Sequence, residues 1–215
     1  YDSAVLNLFD IPVLYFPKFF HPDPSVKRQS GLLKPTINNS NVLGSSLTIP
    51  YFNAISNNKD FTFKPTWFDS NILMIQNEFR KINDRNNLLV DFSYVKGYQS
   101  TTTNKKKNLS HLFLNSKHDL EFENFSKSDL ILSIEKVTND TYLKVFDSHI
   151  TKSLARPLDL NNLNNHLKLI LNNEKFNFEA GLETNENLQI SQNNDKYQHI
   201  LPYYNIDSLL TKKFY

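Results

Sequence analysis

The sequence predicts an all-β, antiparallel fold of barrel type, and three observations predict it. From residue 60 onward the chain breaks into short segments whose apolar residues recur with a period of two. The linkers between those segments alternate between compact and long, and aromatic residues gather where the segments end.

Leu6, Leu8, Val13, Tyr15 and Phe19 recur around Pro12 and Pro17, the pattern of short or edge strands, because proline has no N–H to give to a ladder. His21-Pro22-Asp23-Pro24 follows, a stiff, turn-rich connector that divides residues 1–24 from residues 25–215 as two folding units. Beyond it, residues 31–36 and 42–52 form a candidate hairpin around Asn38-Asn39-Ser40-Asn41. Pro35 sits inside its first strand and Pro50 near the end of its second. A central strand rarely tolerates either.

In residues 60–68, Phe61, Phe63 and Trp67 line one face and Thr62, Lys64 and Thr66 the other. Residues 72–80 are more mixed, with Leu73, Ile75 and Phe79 set against Met74, Gln76, Glu78 and Arg80. Val90, Phe92 and Tyr94 oppose Asp91 and Ser93, while Leu112, Leu114, Leu120 and Phe122 oppose Asn115, Lys117, Asp119, Glu121 and Glu123. Leu130, Leu132 and Ile134 oppose Ser133 and Glu135; Leu167, Leu169 and Leu171 oppose His166 and Lys168. Phe176, Phe178 and Leu182 oppose Asn177, Glu179 and Glu183.

Such strands suit a soluble sandwich, whose apolar face points inward, and equally a membrane barrel, whose apolar face meets lipid. Periodicity does not separate the two. The linkers favour the barrel: 53–59, 82–87, 124–128 and 172–175 are compact, whereas 96–108, 137–157 and 186–197 are longer and polar, as periplasmic turns and external loops are. Those near 38–41 and 69–70 are short and break the trend. Tyr51, Phe52, Trp67, Phe68, Tyr94, Tyr98, Phe122, Phe125, Tyr203 and Tyr204 suit the aromatic girdles at the two membrane interfaces.

Composition narrows the function. With 24 basic and 22 acidic residues the chain carries a formal charge of +2, so it has no electrostatic footprint for nucleic acid. Absence of Cys removes disulfide and thiolate chemistry from this segment. No apolar run approaches the roughly 18 to 20 residues of a membrane helix. The six His residues are scattered, and no nucleophile elbow, phosphate loop or zinc motif is present, so no enzyme, metal or cofactor is expected. The chain opens at Tyr1 with no initiator Met and no leader, and reads as an internal fragment.

Three stretches carry a resemblance. Ile11-Pro12-Val13-Leu14-Tyr15-Phe16-Pro17, then residues 21–35 from His21-Pro22-Asp23-Pro24 through Gly31-Leu32-Leu33-Lys34-Pro35, then Thr48-Ile49-Pro50-Tyr51-Phe52 resemble, in that order, the junction region of the lipopolysaccharide-assembly protein LptD family, also called OstA or organic solvent tolerance protein. Phe63-Lys64-Pro65-Thr66 and Asn77-Glu78-Phe79-Arg80 extend the likeness into the next hairpin, and Asp140-Thr141-Tyr142-Leu143 is similar to a later stretch.

The resemblance implies an outer-membrane β-barrel, of which residues 25–215 hold roughly the first ten strands, preceded by the end of a periplasmic β-jellyroll in residues 1–24. It implies lipopolysaccharide as cargo, an LptA-type periplasmic bridge and an LptE-type lipoprotein plug as partners, and outer-membrane lipid around the wall. Pro35 and Pro50 match prolines implicated in a lateral gate between the first and last strands. Read without the resemblance, Pro50 ends its strand and Pro35 faces a bulge.

Pro22, Asp23 and Pro24 form the linker. Phe9, Val13 and Tyr15 fit plain core, and also an acyl-chain track feeding the barrel wall. Lys64, Asp91, Lys117 and Glu121 are expected to face a hydrated lumen. Other readings are a different outer-membrane barrel, such as a porin or a lipid A-modifying enzyme, and a soluble glycan-binding sandwich.

Overall fold

The structure, a computed structural model, describes residues 2–8, 11–18, 28–100, 106–190 and 193–208. Phe9, Pro22, Asp23 and Pro24 lie outside the described residues. β1 (Asp2–Leu8) and β2 (Ile11–Lys18) pair antiparallel as a sheet of two strands. Leu6 faces Leu14 and Asn7 faces Pro12, so Val13 is the extra residue of a bulge, while Tyr15 faces Val5.

A second sheet holds β3 (Gly31–Leu32), β4 (Thr36–Ser40), β5 (Gly44–Thr48), β6 (Tyr51–Ser56), β7 (Lys59–Phe68), β8 (Leu73–Ile82) and β9 (Asn86–Gln99). It continues through β10 (Lys106–Asp119), β11 (Lys127–Val137), β12 (Asn162–Asn172), β13 (Phe176–Asn187) and β14 (Tyr197–Ser208). From β7 to β14 each strand pairs antiparallel with its neighbour in sequence, the order that hairpin connections produce, while β5 and β6 both pair with β7, β4 with β5 and β3 with β6. β3 with β4, and β5 with β6, are two strands each broken once, so the twelve elements are ten strands of a meander. The unbroken strands run 10 to 14 residues, long enough to cross a bilayer when tilted. Among the described residues β4 and β14 are edges that do not meet, so the sheet is open.

The two faces of the sheet decide between sandwich and barrel. On the concave face Asp60, Thr66, Gln76, Glu78, Asp91, Ser93 and His111 are buried. On the convex face Phe63, Trp67, Phe92, Tyr94, Leu167 and Leu182 are exposed. A sandwich requires the reverse, because water rewards burial of the apolar face. Exposed aromatics over a buried polar interior is the amphipathicity of a barrel wall in lipid. No helix of the described residues is long and apolar enough to cross a membrane, which says nothing of strands.

The long connection between β11 and β12, residues 138–161, departs from the polar external loop expected of it. It folds back over the concave face, carrying a one-turn helix, α1 (Tyr142–Val145). Tyr142, Leu143, Phe146, Ile150 and Ala155 are buried there with Phe68, Met74, Val95, Tyr98, Leu109 and Phe113. The rings of Tyr98 and Phe146 meet edge-on at 5.7 Å. Phe68 and Tyr98, expected in a girdle, are therefore core beneath this strap, while their companions Trp67 and Tyr94 point outward.

Candidate functional site

Both prolines of the first hairpin interrupt strands. Pro35 lies between β3 and β4, and Pro50 between β5 and β6, so Pro50 is internal to its strand rather than at its end. Thr36 faces Thr48 and Leu32 faces Tyr51, which is four steps along the first strand against three along the second. The first strand thus carries one extra residue beside Pro35, a bulge. Leu33 N–H donates to Pro50 O at 2.8 Å, but Pro50 has no N–H to return. This hairpin occupies the edge of the sheet, where a loosened ladder costs the rest of the wall least.

Inside, the strap is fastened by a buried polar chain. Tyr142 OH lies 2.6 Å from Ser93 Oγ and 2.9 Å from His111 Nδ1. His111 Nε2 lies 3.1 Å from Asp91 Oδ1, and Gln76 Nε2 donates to both Asp91 oxygens at 3.0 Å. The chain is complete with His111 donating from Nε2 to Asp91 and accepting at Nδ1 from Tyr142 OH, whose oxygen accepts from Ser93. Every link of the chain from Ser93 to Asp91 is satisfied. Burial pushes the Tyr142 hydroxyl far above its ordinary range, which keeps it protonated as this chain requires.

The strap also reaches the strands next to the proline breaks. His149 Nε2 meets Ser46 Oγ on β5 at 3.0 Å, and Lys64 on β7 donates from Nζ to His149 O at 2.8 Å and to Thr151 Oγ1 at 3.4 Å. Burial, reinforced by the Lys64 charge, holds the His149 imidazole below its ordinary value and therefore neutral. Ser46 and His149 resemble a nucleophile and base, but the second ring nitrogen faces Ser148 Oγ at 3.0 Å in place of a carboxylate.

Toward the short turns the concave face is charged. Asp60 binds Arg28 and Arg80, and Lys117 and Lys127 both reach Asp129, at 3.0 Å and 3.6 Å. Between these side chains and strap residues 151–154 lies a cleft of 520 Å³, with Glu78, Arg80 and Lys117 in its wall. Among the described residues no group of three His, Asp or Glu is placed to hold a metal ion.

No protein-family model matches the chain. Curated relatives do. It is 31% identical over 147 residues to LPS-assembly protein LptD of Idiomarina loihiensis and, over the same length, 31% identical to LptD of Pseudoalteromonas translucida, alignments that cover 67% and 68% of this chain. It is 43% identical over 79 residues, 37% of this chain, to LptD of Polaromonas sp.. The chain belongs to the LptD family. It spans about a fifth of the two longer matches, 18% and 19% of their length, and 10% of the third.

Within this LptD-family segment the sequence-predicted lumen residues Lys64, Asp91 and Lys117 do face the concave side. Glu121 does not. It lies in the β10–β11 turn with φ +52°, bound to Arg85, because Asp119 Oδ1 accepts from Glu121 N–H and Ser128 Oγ, each at 3.0 Å, and closes the strand early. Sequence reasoning missed Gln76, Ser93, His111 and His149 as a set. The available signal was the apolar spacing of Tyr142, Phe146 and Ile150, four residues apart, which marks a segment with a face to bury.

Proposed function

We propose that the chain is part of the outer-membrane lipopolysaccharide translocon, with residues 25–215 forming the first strands of its barrel and residues 1–24 the end of a periplasmic jellyroll. The observation that carries this reading is the pair of proline breaks in the first two strands, set at a sheet edge in an LptD-family chain. Lipopolysaccharide has a multi-acyl anchor and a charged sugar part. The anchor must leave sideways into lipid while the sugar crosses a polar lumen, so the wall needs one seam that opens.

In this reading Pro35 and Pro50 form the lateral gate with the last strand of the barrel. Each proline removes a ladder donor at about 1 kcal/mol per missing bond, and the bond that Pro50 cannot return to Leu33 lies within the first hairpin, which backs the seam. The polar concave face carries the sugar, and Phe9, Val13 and Tyr15 lead acyl chains from the jellyroll to the wall. An LptE-type lipoprotein plugs the barrel and an LptA-type bridge delivers cargo. In this reading the protein is a conduit, and the Ser46 and His149 pair serves to hold the strap.

The test is Pro35→Ala with Pro50→Ala in the full-length protein. Restored donors stiffen the hairpin that forms one side of the seam, so less lipopolysaccharide reaches the outer leaflet and the cells become permeable to a large antibiotic normally excluded. Unchanged permeability at normal protein level overturns the gate.

A further inference from the structure

A third proline lines up with the first two. β7 runs unbroken through Pro65, yet the register sets Pro65 opposite Ile49, the residue just before Pro50 and at the same height as the Pro35 bulge. Thr48 faces Thr66 and Tyr51 faces Phe63, with no slip between them. Ile49 N–H donates to Pro65 O at 3.2 Å. In an antiparallel pair of this kind the partner returns a bond from its own N–H, which Pro65 lacks, so Ile49 and Pro65 share one bond where two are normal. The same arithmetic holds one strand further out, where Leu33 donates to Pro50 and nothing returns.

The two ladders that flank the second strand therefore each lose a bond at one level. The side of Pro65 that faces β8 is different. A residue directs its N–H and C=O to the same neighbour, and the Pro65 carbonyl points at Ile49, so the missing donor costs the β7–β8 ladder nothing. That ladder stays continuous over nine facing pairs from Lys59 with Lys81 to Trp67 with Leu73. Above the proline level, β5 faces β7 in three pairs, Ser46 with Phe68, Leu47 with Trp67 and Thr48 with Thr66, and Ser45 exchanges bonds with Asp69 just beyond the end of β7.

We propose that Pro65 is a positioning residue that uncouples the second barrel strand from the third, so that the β4–β5 half-hairpin moves as a separate leaf about a line through Pro35, Pro50 and Pro65. This rests on the gate reading above. It adds that the hinge ends at the third strand, where the rigid wall begins, and that the moving element is the half-hairpin alone. Ser46, bound to His149 of the strap, lies on that leaf, so the strap holds the leaf from inside.

The experiment is hydrogen exchange on the full-length protein with its partner lipoprotein in detergent, wild type against Pro65→Ala, with cell permeability to a large antibiotic measured in parallel. The substitution supplies the absent donor to Ile49 O, and exchange of residues 44–52 slows about fivefold, equivalent to about 1 kcal/mol for one added bond. If exchange slows and permeability rises, both hinge and gate are supported. If exchange slows while permeability is unchanged, the hinge stands and the gate reading fails. Unchanged exchange overturns the hinge. Should the variant not assemble, the wild type carries the test: residues 49–52 exchange at least about tenfold faster than residues 75–78 of β8, and equal rates overturn the proposal.

Discussion

Tyr142→Phe removes one oxygen from the buried chain that fastens the strap, and its cost follows from what that oxygen touches. Tyr142 is fully buried, with Ser93 Oγ at 2.6 Å and His111 Nδ1 at 2.9 Å. Without the hydroxyl, Ser93 loses its acceptor and His111 Nδ1 its donor, in a place water does not reach. Two net hydrogen bonds at about 1 kcal/mol each, plus the penalty of an unpaired buried imidazole nitrogen, come to about 2 to 4 kcal/mol. The phenyl ring keeps its packing against Phe146, 5.1 Å between centroids, so the loss is polar alone.

A strap loosened by that amount opens roughly 30 to 700 times more often. Hydrogen exchange of residues 138–161 in the full-length protein reads this directly, with residues 176–187 of β13 as an internal reference. Exchange of the strap at the wild-type rate in Tyr142→Phe would refute the chain as its fastening.

Two further expectations concern the strap and the wall. The His149 imidazole is held below its ordinary value of 6.5, so the docked form binds fewer protons than the released form. Docking is strongest above pH 6.5 and weakens as pH falls through and below that value, and His149→Gln, which keeps a polar partner for Ser46, removes this contribution to strap protection once exchange is corrected for its intrinsic dependence on pH. Gly97 has φ +86° at a bulge of β9, and a Cβ there would stand 3.0 Å from Asn71 O. Gly97→Ala should cost about 1 to 3 kcal/mol and lower the temperature at which the full-length barrel unfolds on a detergent gel.

Strands β7 to β13 were legible because a sheet with one polar and one apolar face writes a period of two into its sequence, whichever face meets lipid. What that pattern does not encode is the end of a strand. The alternation of Leu120 and Phe122 continues past Asp119, although the Asp119 side chain turns the chain there. The prolines were legible as anomalies and a bulge at Pro35 was among the readings, but their alignment was not legible, since it depends on the register between strands that form only in the folded sheet.

The strap was hidden for a different reason. Its apolar residues pack against Met74, Val95 and Phe113, which stand on the face that otherwise reads as polar, so neither half of the contact looks like core by itself. The polar chain of Gln76, Asp91, Ser93, His111 and Tyr142 is drawn from four separate elements and exists only once the sheet is formed.

That the convex face meets lipid and the concave face a polar lumen is tested most directly by spin labels on single cysteines introduced into the full-length protein in bilayers. Labels at Phe63, Phe92 and Leu182 should collide with oxygen dissolved in the membrane and be shielded from a water-soluble nickel reagent, whereas a label at Lys117 should show the opposite preference. Equal access of the nickel reagent to both faces would contradict the barrel wall, and with it the lipid-facing gate.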